Sequence, residues 1–203
     1  MKIMLLSNMD YSGAGNAAIK IFEMLKKNKV DCDLIVNKQK TELSSKFKLS
    51  IKENCNDKLR NFAYYFFNYI ININKFGNYK SLGLFDSFYP DKINKTNHDI
   101  VQLHWINGFL SINDINKINK PIIWRFSDFW PCSGIYHYEN FENAKEPYFL
   151  KIINNLIKNY KINLWKKRIK IITPSIWMKT LVERSYTFKN FEINVINTPI
   201  NKI

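Results

Sequence analysis

The chain has 203 residues, 46% hydrophobic and 15% aromatic, enough for one domain that buries roughly 70% of its unfolded surface. Its 31 Lys+Arg against 17 Asp+Glu leave +14, which favours anionic partners (nucleic acid, an acidic membrane face, phosphate groups) unless it only mirrors a coding bias crowding Lys, Asn and Ile into every segment. Three widely spaced cysteines, Cys32, Cys55 and Cys132, form no CxxC pair and argue against a disulfide framework or a zinc site, and no apolar run is long enough to span a bilayer.

In chain order, Ile3–Ser7 reads as a first buried strand, since its apolar run meets Asn8 and Asp10 too early for a signal peptide. The glycine-bearing loop NMDYSGAGNAA follows, then helical spacing in Ala17, Ile19, Ile21, Phe22 and Leu25, then a second strand at Leu34–Val36. Residues 38–98 form a helical and irregular insertion, with an aromatic helix expected over Leu59–Phe76 and a turn-rich stretch through Gly77, Gly83 and Pro90. Asp99–His104 is the third strand; Ser111 caps a short helix; Ile122–Phe126 is the fourth strand. Pro147–Lys167 has helical spacing and closes on the basic run WKKRIK (Lys166, Lys167, Arg168, Lys170). Ile171–Thr173, a helix over Ile176–Arg184 and Ile193–Ile196 complete the alternation. Strands alternating with helices predict an α/β fold: a doubly wound, mostly parallel Rossmann-like sheet with helices on both faces.

Two runs carry most of the chemistry. HWINGFLS (His104–Ser111) follows the third strand, and WRFSDFWPCSGIYHY (Trp124–Tyr138) begins in the fourth. Polar and aromatic side chains just past buried strands of an open α/β sheet stand on the rim where ligands bind. Gly13 and Gly15 allow a tight turn before a helix N-terminus that offers amides to an anion; a plain strand–helix turn is the alternative. His104 either holds or deprotonates a ligand hydroxyl or is a core histidine bonded to a carbonyl, and the same choice applies to His137. Trp105 and Asn107 suit a sugar's C–H face and its hydroxyls, although Trp105 fits an inner wall equally well. Arg125, Ser127 and Asp128 close the fourth strand, and Asp128 either accepts from a ligand or caps its own loop. Trp130 and Tyr138 suit packing, and Ser175 suits a helix cap. The aromatic helix is either core or an interfacial face held to lipid phosphates by Lys58, Arg60 and Lys75. A nucleic-acid binder would need its charge gathered on one face, and no RNP, zinc-finger or helix-turn-helix signature is present.

In order along the chain, SGAGNAA, DIVQLHWINGFLS, KPIIWRFSDFWPCSGIYHY, ITPSIWM and VINTPI resemble the amino-terminal domain of glycosyltransferase family 4, and within it a bacterial surface-polysaccharide subgroup. The resemblance implies the acceptor-side half of a retaining GT-B enzyme, with residues 1–197 as the domain and 198–203 as the start of an interdomain hinge. The carboxy-terminal donor domain is expected to be absent, since its motif of two glutamates with seven residues between them occurs nowhere in these 203 residues. Departures from the subgroup are Ser127 and Gln102 where histidines are frequent, and Tyr136 in place of a cysteine.

The resemblance further implies transfer from a nucleotide-sugar to a saccharide or lipid-linked acceptor, without a metal or other cofactor, on the cytoplasmic side and peripherally on the inner face of the plasma membrane. His104, Asp128 and His137 would position the acceptor or relay its proton; Gly13 and Gly15 would line the cleft; Trp105, Asn107 and Trp130 would shape the sugar site, joined by Arg125, Ser127 and Ser175. A separately encoded donor-domain chain and an anionic membrane surface are the expected partners, and nucleic acid is not. The half enzyme alone is expected not to turn over; a non-catalytic saccharide-binding remnant and a subunit of a split transferase are the alternatives.

Overall fold

The computed structural model describes residues 1–42, 55–73, 79–138, 147–164 and 169–200, with backbone alone for 55–57. The elements are β1 (Lys2–Met9), α1 (Ser12–Lys27), β2 (Asp31–Lys38), α2 (Cys55–Asn72), α3 (Tyr89–Asn94), β3 (Ile100–Leu103), α4 (Ile112–Lys117), β4 (Ile122–Arg125), α5 (Tyr148–Leu164), β5 (Lys170–Thr173), α6 (Ile176–Arg184) and β6 (Ile193–Val195). The strands form one six-stranded sheet in the order β2-β1-β3-β4-β5-β6, and every neighbouring pair is parallel. The fold is α/β and Rossmann-like.

Residue alternation explains the layers. Along β1, Ile3 and Leu5 face Ala18 and Ile19 of α1 together with Cys32 and Leu34 of β2. Met4 and Leu6 face the other way, into the largest cluster, with Val101, Leu103, Trp124 and Ile171 of the neighbouring strands. Ile112 and Ile115 of α4 and Met178, Leu181 and Val182 of α6 close that face. Both faces of β1 are therefore covered, which is why its sequence reads as a continuous apolar run. A third cluster joins Ile71 of α2, Leu82, Ile135, and Leu150 and Ile157 of α5.

Local signals set the boundaries. Ser111 and Asp114 form a reciprocal capping box at the start of α4: the Ser111 hydroxyl accepts from the Asp114 amide at 3.0 Å and the Asp114 carboxylate accepts from the Ser111 amide at 2.9 Å. The aromatic helix begins at Cys55 and ends at Asn72, earlier at both ends than its aromatic run suggests. Lys75, Phe76, Gly77 and the basic residues Lys166, Lys167 and Arg168 lie outside the described residues. The short helix α3 starts on Tyr89–Pro90, inside the stretch that reads as turns. Among the described residues, no helix is long and apolar enough to cross a membrane.

Candidate functional site

The strand order reverses between β1 and β3, the usual place for a ligand crevice in an open parallel sheet. A cleft of about 480 Å³ lies at that carboxyl edge. The first turn of α1 (Ser12, Gly13, Ala14) forms one wall, and Trp105, Arg125, Ser127, Asp128, His137 and Thr198 contribute to the rest.

The glycines of the first wall differ in role. Gly15 is buried, and a β-carbon there would lie 2.8 Å from the Met9 carbonyl oxygen, so only glycine lets α1 press on the end of β1. Gly13 lines the cleft with open space around the position of its missing side chain. Tyr11, at the N-cap, makes no side-chain cap, and the first turn carries no acidic residue. The positive end of the α1 dipole is thus not neutralised by its own first turn.

Arg125 brings a full positive charge to the same cleft. It is 2% exposed and donates from Nη1 to the Ile196 carbonyl at 2.7 Å and from Nη2 to Thr198 Oγ1 at 2.8 Å. Burial pulls its pKa down, yet a guanidinium remains protonated. Both acceptors are neutral, and among the described residues no carboxylate forms an ion pair with it. A buried cation held only by neutral oxygens attracts an anion.

Asp128 and His137 form the acidic side. Asp128 Oδ1 accepts from the Trp130 amide at 3.2 Å, so it does cap its loop, while Oδ2 accepts from His137 Nδ1 at 2.6 Å. His137 Nε2 lies 2.7 Å from Ser81 Oγ; Asn107 donates to that same hydroxyl, and Tyr64 OH donates to Asn107 Oδ1 at 3.1 Å. The directions are self-consistent: Nδ1–H to Asp128, Nε2 accepting from the Ser81 hydroxyl, and Asn107 donating to Ser81. Burial raises the Tyr64 phenol, keeping it a donor. Asp128, His137 and Ser81 have the connectivity of a hydrolytic triad, but Ser81 is fully buried and cannot meet a substrate. The chain instead fixes the imidazole from behind.

The loop carrying the dyad is pinned from several sides. The Phe129 amide donates to the His137 carbonyl at 2.9 Å and closes the loop. Trp130 is buried, donates from Nε1 to the Ser81 carbonyl at 2.8 Å and stacks on the His137 ring at 6.2 Å. Lys161 of α5, also buried, donates to the carbonyls of Trp130 and Gly134 at 2.8 and 2.7 Å, with its ammonium position 3.6 Å from the Trp130 ring centroid. Desolvation holds the Lys161 pKa well below the ordinary value. A β-carbon on Gly134 would lie 1.9 Å from the Asn154 carbonyl oxygen, so glycine there lets the loop lie against α5.

The residues expected from the sequence thus separate into two layers. Gly13, Trp105, Arg125, Ser127, Asp128 and His137 meet at the cleft. Gly15, His104, Asn107, Trp130 and Ser175 lie behind or beside its lining. His104 is 1% exposed; its Nε2 lies 3.3 Å from Gln102 Nε2, and its buried Nδ1 has no hydrogen-bond partner among the described residues. Burial, then the Arg125 charge, lowers its pKa to about 3, so the ring is neutral. Ser175 caps α6, its hydroxyl accepting from the Met178 amide at 3.2 Å. Sequence reasoning missed Ser81, Tyr64 and Lys161. Lys161 left a signal: it continues the buried series Leu150, Asn154, Ile157 along one face of α5.

Among the described residues, no group of three His, Cys, Asp or Glu side chains stands close enough to hold a metal ion. No protein-family model matches this chain, and no curated protein and no solved structure matches it either.

Proposed function

We propose that the chain is the acceptor-side domain of a retaining, family 4-like glycosyltransferase of surface-polysaccharide assembly. Its cleft would take a saccharide or lipid-linked acceptor beside the diphosphate of a nucleotide-sugar. The observation that carries this reading is the buried Arg125 guanidinium, bonded among the described residues only to neutral oxygens, in one cleft with Asp128 and Trp105. Together they offer a phosphate partner, a hydroxyl acceptor and an aromatic face on one rim.

In this reading, phosphate oxygens lie against Arg125 and the first-turn amides of α1. Asp128 accepts the hydrogen bond of the acceptor hydroxyl, and His137 orients Asp128. The hydroxyl oxygen bonds to the anomeric carbon as the bond from that carbon to the diphosphate oxygen breaks, on the same face of the sugar. The hydroxyl proton leaves with the departing phosphate oxygen. A donor-binding lobe with paired glutamates is the partner this chemistry requires.

A second reading, a saccharide-binding domain without turnover, is favoured by one detail. Both ring nitrogens of His137 are engaged and His104 is buried, so no imidazole is free to take a proton from a cleft ligand.

Calorimetric titration with a nucleotide-sugar, a glycosyl phosphate and the parent sugar tests the cleft. Phosphorylated ligands should bind at least about tenfold more tightly than the parent sugar, and Arg125→Ala should erase that preference, as loss of a charged hydrogen-bonding partner predicts. Equal affinity for phosphorylated and unphosphorylated ligands would sink the reading. Incubating the purified chain with nucleotide-sugars should release no nucleotide diphosphate, and robust turnover would overturn the requirement for a second lobe.

A further inference from the structure

The outer face of α2 is more apolar than the face it turns to its own protein. Tyr64 and Ile71 point inward and are buried. Leu59, Phe62, Phe66, Ile70 and Ile73 (just past the helix end) are all exposed, Phe62 to 66% and Ile73 to 52%. At 3.6 residues per turn these five lie within about 40° of one line through Phe66, on the side away from Tyr64 and Ile71.

The spacing of the stripe is the same in both directions from Phe66: four residues to Phe62 or Ile70, then three more to Leu59 or Ile73. Such a stripe is its own complement. Turned end for end against a second copy, Leu59 meets Ile73, Phe62 meets Ile70 and Phe66 meets Phe66, as an isologous two-fold contact requires. With Tyr65, Phe67 and Tyr69 beside it, the exposed apolar surface is on the order of 800 Å². That is what one partner brings to an interface of standard size, and it exceeds the usual largest patch of a monomer.

The charges near the stripe tolerate this pairing. Arg60 is turned inward, where it donates to the Phe85 and Phe109 carbonyls at 3.1 Å each. Asp57 and Lys58 adjoin in the sequence at the amino-terminal end of the helix. Lys58 lies eight residues from Phe66, so in an end-for-end pair the two copies of it stand about 24 Å apart along the axis. The Debye length at physiological ionic strength is about 8 Å, which screens that repulsion. Lys38 stands off the stripe, its ammonium 5.2 Å from the centroid of the Tyr65 ring. The +14 of each chain remains as a diffuse repulsion that salt weakens.

We propose that the chain forms a two-fold dimer through the outer face of α2, the two helices packed antiparallel with Phe66 at the axis. Pairing clamps from outside the helix whose inner side carries Tyr64, the far end of the hydrogen-bonded chain that fixes His137. The proposal stands independently of the transferase reading.

Sedimentation equilibrium of the full chain at several concentrations and two salt levels tests it. The expected result is a dimer that tightens as salt is added. Phe66→Lys sets two ammonium groups against each other at the axis and should raise the dissociation constant at least about tenfold. Its circular dichroism spectrum should be unchanged, because the ring is 49% exposed. Disulfide trapping under a mild oxidant, with the unsubstituted chain as control, reads the geometry separately. Phe66→Cys should cross-link to itself, and Leu59→Cys should cross-link to Ile73→Cys but not to itself. A dimer that loosens with salt or ignores Phe66→Lys, or a Leu59→Cys chain that cross-links to itself, overturns the proposal. So does a monomer at every concentration, including one that sediments with phosphatidylglycerol vesicles, since the occupant is then a lipid surface.

Discussion

Lys161→Met removes an amine but keeps a flexible side chain of similar length, and it separates two opposing effects. The amine satisfies two buried carbonyls, those of Trp130 and Gly134. Leaving both without donors costs about 1–3 kcal/mol each. Opposing this, the buried amine is hard to charge, and its pKa in the folded protein lies well below the ordinary 10.5. Between that lowered value and 10.5 the unfolded chain binds a proton that the folded chain does not, so folding stability rises with pH by about 1.4 kcal/mol per unit. A neutral amine still has two N–H groups, matching the two carbonyls. The variant should therefore lose on the order of 2–5 kcal/mol at mildly alkaline pH, with the deficit shrinking as the pH falls. Urea unfolding followed by tryptophan fluorescence, repeated at several pH values between neutral and mildly alkaline, measures both terms. Parallel pH dependence in the two proteins would refute the assignment of Lys161 as a buried, reluctantly charged anchor.

Gly15→Ala should destabilise the protein by about 1–3 kcal/mol, because its β-carbon meets the Met9 carbonyl, whereas Gly13→Ala should change thermal stability little. Ser81→Ala, at a residue outside the cleft lining, should weaken binding of any ligand held by Asp128 by about fivefold, the worth of one hydrogen bond, by loosening His137. Titration of the Ser81 variant checks this, and unchanged affinity would show that the buried chain does not position the dyad.

The sheet was legible because its strands are apolar runs bounded by polar and turn residues, and those covered on both faces read as nearly uninterrupted apolar segments. The start of α3 was not, since Pro90 and its neighbours carry the same composition as a turn while being equally suited to a first helical turn. At the cleft, Arg125 was readable from its place at the end of β4, and Trp105, Ser127 and Asp128 from theirs just past strand ends. Depth was not. His104, Asn107 and Trp130 sit in the same runs, yet pleat and loop geometry turn them into the interior, where they hold the rim rather than form it. Ser81 and Lys161 could not be found locally, because their partners lie 56 residues away in one case and 31 and 27 in the other.

A loop fastened by one hidden amine and a train of enclosed hydroxyl and amide groups meets its ligand already set. The entropy of ordering it is lost when the chain folds, so little remains to be lost at encounter. Variants selected for impaired uptake should accordingly map to the middle of α5 and the segment around Ser81 as often as to the mouth of the cleft, and many would look, by affinity alone, like contact residues they are not.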